Sequence, residues 1–325
     1  MHPILFYITD SFYISTYGVM VVLGLLAALW LAGRQAHRAG FDPNLVVDVA
    51  LAGVLAGFVG GRAAFIATEW PQFLESPGAF IFSRSGFVFL GGLIAGVGAG
   101  AWVLRRRIPG AMWAFGDVVA PAVPLGHFFG RLGCFFTGCC HGDVCEAPLG
   151  VRFPEVINRR GEIIGSMAYL TYPDPAHPHW SLPVWPTQLF EAGLNLAICA
   201  VLLAMVRRRR FDGQIILLYG FLYGAVRFAL EFLRGDAERG VFFGGALSTS
   251  QIIILLVLPA LVWMWHHRRR RGLTPLPLAG GEAESGGAPR RTPQSDRSSA
   301  RSGGADRPRR SKHPPSDSTS PHSKS

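Results

Sequence analysis

The sequence predicts an all-α, polytopic membrane protein with about seven transmembrane helices and a small head on the outer side. Three observations predict it. Half of the 325 residues are hydrophobic and only 16% are charged, against roughly a quarter in a soluble domain. The apolar residues gather in stretches long enough to cross a hydrocarbon core of about 30 Å. Arginines close alternate stretches: Arg34 and Arg38, then the runs 105–107, 207–210 and 268–271. A net charge of +10 would also suit nucleic acid. Arginines at the ends of apolar segments are topology signals instead, so no nucleic-acid partner is expected.

The spans are expected near 14–33, 46–67, 86–104, 113–133, 185–206, 213–233 and 247–266. The first lacks a basic start and a small-residue cleavage site, so it is expected to be retained. The second and third carry Gly53, Gly57, Gly60 and Gly61, then Gly91, Gly92, Gly96, Gly98 and Gly100. Small residues let helix backbones approach closely in lipid, and these are assigned to packing. The fourth span ends in "GRLGCFFTGCC". Residues 134–184 follow, too polar and proline-rich to span, and form the expected periplasmic head. The fifth span opens with "WPTQLFE", the sixth carries "YGAVRFALEFLRGD", and the seventh opens with "STSQI".

Each arginine group follows an odd-numbered span. Basic short loops stay in the cytoplasm, which puts the N-terminus outside and the C-terminus inside. The membrane domain is residues 1–271. Beyond it the composition turns to Ser, Pro, Gly and Arg, which cannot bury a core, so 272–325 is expected to be a disordered basic cytoplasmic tail.

Ionisable groups at membrane depth are expensive and mark function. Arg62 lies in span two, Arg131 at the end of span four, Glu191 early in span five, and Tyr223, Arg227, Glu231 and Arg234 on span six. Spacings of four and three put Arg227, Glu231 and Arg234 on one helical face. A structural reading pairs Arg227 with Glu231. A functional reading notes four arginines towards the outer side with too few carboxylates to neutralise them. Guanidinium forks suit phosphate, so the pattern points to a phosphate-bearing lipid in a polar cavity. Four of the five cysteines, Cys134, Cys139, Cys140 and Cys145, crowd one short segment. Disulfides in an oxidising compartment, a metal site of unfamiliar spacing, and free thiols for packing or proton transfer all remain open.

The blocks "YGVM" from Tyr17, "GGR" ending at Arg62, "GRLGCF" around Arg131 and "YGAVRFALEFLR" from Tyr223 together resemble the prolipoprotein diacylglyceryl transferase family, over about residues 10–270. The resemblance implies a bacterial plasma-membrane enzyme. It would move the diacylglyceryl group of phosphatidylglycerol, a membrane lipid, onto the lipobox cysteine of preprolipoprotein signal peptides. It also implies roles. Arg131 would grip the head group, Arg227 would stabilise the departing phosphate, and Glu231 would orient Arg227. Tyr17 would line the cavity, and Arg62, Tyr223 and Arg234 would add to the lipid site. No metal or other cofactor is implied.

Two departures stand out. Leu90 occupies the place of a family histidine proposed as base, and Cys134, Thr137 and Cys139 replace two asparagines and a glutamate. His127, His141 and Cys139 are the candidate replacement proton acceptors. A non-catalytic or acceptor-shifted lipid-binding paralogue is the alternative that Leu90 favours. A thiol-redox membrane protein is a third class, but no Cys-x-x-Cys motif supports it.

Overall fold

The computed structural model describes residues 2–275 apart from 10–11, 83–85, 147, 160, 162, 165, 235–240, 243–246 and 272–274. All of the expected tail except Pro275 therefore lies outside the described residues.

The chain opens with an antiparallel hairpin, β1 (Ile4–Thr9) and β2 (Phe12–Ser15), which the hydropathy pattern does not announce. Ser15 then caps α1 (Thr16–Arg38) by accepting from the Gly18 amide. Asp42 caps α2 (Pro43–Thr68), with proline in its first turn, where a missing amide proton costs nothing. Two short helices, α3 (Trp70–Glu75) and α4 (Pro77–Phe82), precede α5 (Phe89–Arg107). The pair α6 (Met112–Val119) and α7 (Ala122–Thr137) follows. After the head, which holds α8 (Met167–Thr171), come α9 (Thr187–Met205) and α10 (Gln214–Glu231). A second hairpin, β3 (Val241–Phe242) and β4 (Leu247–Ser248), leads into α11 (Thr249–Arg270). Ser248 and Gln251 close a reciprocal capping box at the start of α11.

Every expected span coincides with helix, and the all-α polytopic class holds. The count is less simple. α1, α2, α9, α10 and α11 are long and apolar enough to cross a membrane, and the α6–α7 pair makes a sixth. α5 falls short of that measure because glycines and three terminal arginines dilute its apolar character. The fourth span, expected as one helix, is broken and bent by 41°. Pro121 sits at the break, where it has no amide to donate to the ladder. The head also begins later than expected, because Cys134 and Thr137 still belong to α7.

The glycine assignment to packing is borne out for the α2–α5 contact but not for Gly98, where a built Cβ would meet nothing within 4 Å. A Cβ on Gly60 would stand 2.8 Å from the Gly91 carbonyl oxygen and 2.3 Å from the Ala95 Cβ. Gly57 and Gly92, and Gly53 and Gly96, meet in the same way, so α2 and α5 touch backbone to backbone. Gly24 of α1 lies equally close to Gly126 of α7. Large apolar side chains such as Trp30, Phe58, Val59, Trp102 and Trp263 remain exposed on the helices, as suits a surface solvated by lipid.

Contacts gather the arginine-bearing helix ends on one side. Arg107 pairs with Asp48 at 3.1 Å, tying the end of α5 to the start of α2. Asp117, fully buried, accepts from the Gly213, Ile215 and Ile216 amides and has Arg209 3.6 Å away, so α6 caps the start of α10. Arg268 donates to the Asp212 carbonyl and lies over Trp113. The candidate site lies towards the opposite helix ends.

The head is built from loops joined by single bridges, Val144 to Val184, Val151 to Val184, Pro154 to Trp180 and Pro173 to Ser181. Phe153, Ala168 and Val184 form its small core, and Phe135 of α7 packs against it. Asp174 ties the outer loop together through the Arg152 guanidinium, His177 at 2.9 Å and the Ala176 amide.

Candidate active site

Glu191, one turn into α9 and 2% exposed at its side chain, is the hub. Its Oε1 accepts from Arg131 of α7 at 2.9 Å and faces His127 Nε2 at 3.6 Å, one turn earlier. The Tyr223 hydroxyl of α10 lies 3.5 Å from the same oxygen, and its ring lies 5.1 Å from that of His127. Three helices thus converge on one buried carboxylate. Arg131 keeps its Nε buried without a hydrogen-bond partner among the described residues. A buried guanidinium N–H left over in this way is a donor suited to an anion.

One turn on from Tyr223, Arg227 pairs with Glu231 at 2.7 Å and donates to Ser250 of α11 at 3.2 Å. The i, i+4 spacing makes the first contact and the capped start of α11 supplies the second. The expectation of too few carboxylates is therefore corrected for these two arginines, because each has one. Glu191 was visible in "WPTQLFE", but its partner lies on another helix and no local spacing reveals it. Arg234 does not share the helical face expected of it: α10 ends at Glu231, and Arg234 follows in the turn.

Arg62 donates to the Gly86 carbonyl at 2.8 Å and lies between the rings of Phe65 and Phe87. Tyr17 packs on Gly133, next to Cys134, and lies within electrostatic range of Arg131, Cys134, Cys139 and Cys140. His141 is buried, bonds the Gly142 carbonyl through Nδ1 and sets its ring on Tyr172, so it stands apart from the Glu191 hub. Leu90 is 44% exposed at the start of α5.

The cysteine segment is shaped by backbone. Gly138 ends α7 in the left-handed region, φ 74°, where glycine carries no Cβ penalty. Cys140 takes φ 59°, which costs a non-glycine residue of order 1 kcal/mol. Its carbonyl accepts from Thr187 at 2.9 Å, and that of Cys139 accepts from Gln188 at 2.8 Å, so the first turn of α9 clamps the loop. Cys134, Cys139, Cys140 and Cys199 form no disulfide among the described residues. Hydrogen bonds from Cys134 and Cys139, with Arg234 and Arg131 nearby, hold the Cys140 thiol far below its usual range. Hydrogen bonds with Cys134 and Cys140 push the Cys139 thiol up.

A groove of about 700 Å³ runs between α10 and α11, lined by Phe221, Phe228, Ile254, Leu258 and Leu261, and it reaches Tyr223. The arrangement thus offers an apolar groove joined to the Glu191 hub through Tyr223, which lines the groove and whose hydroxyl faces Glu191.

A model of the prolipoprotein diacylglyceryl transferase family matches residues 3–266. The phosphatidylglycerol–prolipoprotein diacylglyceryl transferase of Clostridium tetani is 29% identical over 271 residues, covering 83% of this chain and 99% of that protein. Its namesake from Sodalis glossinidius is 34% identical over 271 residues, covering 78% and 89%. That of Salmonella choleraesuis is 32% identical over 272 residues, with the same coverage.

Proposed function

The chain belongs to the prolipoprotein diacylglyceryl transferase family, and on that premise we propose that it transfers the diacylglyceryl group of phosphatidylglycerol to the cysteine thiol of preprolipoprotein signal peptides. The observation that carries the reading is the pairing of Arg131 with Glu191 and of Arg227 with Glu231, beside Tyr223, which also lines the apolar groove. The acyl chains lie in the groove and the phosphate meets the guanidinium forks. Arg131, held by Glu191, grips the head group. Arg227, held by Glu231 and Ser250, stabilises charge on the departing glycerol phosphate, the kind of donor worth about 10²–10³ in rate. Tyr17 and Tyr223 line the reacting space, with Arg62 and Arg234 adding positive potential. The protein sits in the bacterial plasma membrane with its head and N-terminus outside.

The test uses full-length protein in vesicles of phosphatidylglycerol labelled in its acyl chains, with a lipobox peptide as acceptor. The expected product is a peptide carrying one diacylglyceryl group by mass. An unmodified peptide, where the Clostridium tetani relative modifies it, overturns the reading. Leu90 favours a second reading, a lipid-binding paralogue without turnover, and that result would support it.

A further inference from the structure

Among the described residues, the Sγ atoms of Cys134, Cys139 and Cys140 lie within 4.8 Å of one another. Tetrahedral zinc with bonds of about 2.3 Å holds its sulfurs roughly 3.8 Å apart, so small rotations of the three side chains would close the set on one ion. The trio is built. Cys134 is fixed in the last turn of α7 and buried. Cys139 and Cys140 are held by Gln188 and Thr187 of α9, and Cys140 accepts a left-handed backbone that brings its sulfur to the others. Strain of this kind in an otherwise regular turn gathers at functional sites. Soft thiolates select d¹⁰ cations such as zinc. Three thiolates around Zn²⁺ leave one negative charge, and Arg131 and Arg234 lie within electrostatic range of Cys140 to balance it.

We infer that Cys134, Cys139 and Cys140 form a trithiolate zinc site whose fourth position takes the thiol of the acceptor cysteine. The activation step rests on the transfer reading above; the ligation does not. A site with three protein ligands keeps one position for substrate, and a coordinated thiol is deprotonated outright. The acceptor S–H bond then breaks on binding, and its proton passes to solvent. The zinc-bound sulfur forms a bond to the glyceryl carbon as the carbon–oxygen bond to phosphate breaks. Glycerol phosphate leaves with the electron pair of that bond and takes up a proton from water, so the thioether forms without oxidant or reductant. Such a site supplies the thiolate where Leu90 cannot act as a base.

The experiment uses full-length protein purified in mild detergent. Metal analysis should find about one zinc per chain, lost in Cys134→Ser, Cys139→Ser and Cys140→Ser but kept in Cys145→Ser and Cys199→Ser. Because a serine variant can misfold, wild type is also stripped with a chelator and refilled with Co²⁺. The expected result is a sulfur-to-cobalt charge-transfer band that shifts when lipobox peptide is added and not when its cysteine is serine. Chelation should abolish transfer, and zinc should restore it. Three outcomes overturn the proposal: no bound metal with all three thiols free to alkylation, a disulfide among them by intact mass in active enzyme, or full transfer after zinc removal. A cobalt band that shifts with peptide, but no lipid on that peptide, would sink the transfer reading and leave the ligation standing.

Discussion

Arg131 and Glu191 meet at 2.9 Å with both side chains largely shielded, so each is the other's means of staying charged. Removing one partner of such a pair leaves a buried charge, at about 3–5 kcal/mol. Alanine at position 131 therefore confounds folding with function, and lysine is the cleaner probe. Arg131→Lys keeps the charge and the pair but loses the planar fork that reads phosphate. It should fold, as judged by size-exclusion profile and thermal unfolding in detergent. Its transfer rate should fall by most of the 10²–10³ typical of one lost transition-state donor. Equal rates for lysine and arginine would mean that position 131 supplies charge alone. At this scale the sequence displays the residue types and not the pairs. Arg227 and Glu231 can be paired from their spacing of four, because one helix carries both. Glu191 cannot, because its partners Arg131, His127 and Tyr223 sit on two other helices. The thiol trio is likewise half legible: the loop puts Cys139 and Cys140 side by side, and only the turn at Gly138 shows that Cys134 joins them.

Between α2 and α5 the glycines act as one surface. Gly60→Val would drive methyl groups into the Gly91 carbonyl and the Ala95 Cβ, and overpacking of this kind costs about 1–3 kcal/mol. Gly98 of α5 has nothing within 4 Å of a built Cβ, so Gly98→Ala should be silent. Thermal unfolding of the two variants in one detergent checks the contrast, and equal midpoints would show that the close approach is not limiting. The head answers to pH instead. His177, the Ala176 amide and Arg152 hold the Asp174 carboxyl down to about 2, against about 3.9 in an unfolded chain. A depressed acid stabilises the folded form above the unfolded value and loses that contribution as pH falls through the folded one. The head should therefore loosen between about pH 4 and pH 2, followed by the fluorescence of its Trp180 in a variant whose other tryptophans are replaced by phenylalanine, and Asp174→Asn should flatten the transition. Helix positions were readable from hydropathy because span length is fixed by lipid. The bend at Pro121 had a visible cause that hydropathy averages away, and the two hairpins left no signal in an apolar background.

At the scale of the whole molecule, the arginine groups are spread along the chain but end on one side of it. Asp48 holds Arg107, Asp117 faces Arg209, and the Asp212 carbonyl holds Arg268. The carboxylate hub and the thiol trio lie towards the other helix ends, with the head. A charge asymmetry of this kind orients a polytopic chain with its basic side in the cytoplasm. Three reporters test it. Gly110, in the turn between α5 and α6, and Gly161, in the head, have nothing within 4 Å of a built Cβ and are exposed, so short insertions there should not disturb packing. The third reporter follows Arg271. Those at Gly110 and after Arg271 should behave as cytoplasmic and that at Gly161 as external. The Gly110 reporter carries the most information, because α5 is the helix whose apolar character falls short. If α5 lay on the surface instead of crossing, residue 110 would remain on the side of residue 86 and its reporter would read external. The second arginine group, at the end of α5, would then sit across the membrane from the first, and the shared basic side, with the outward placement of the active site that depends on it, would fail.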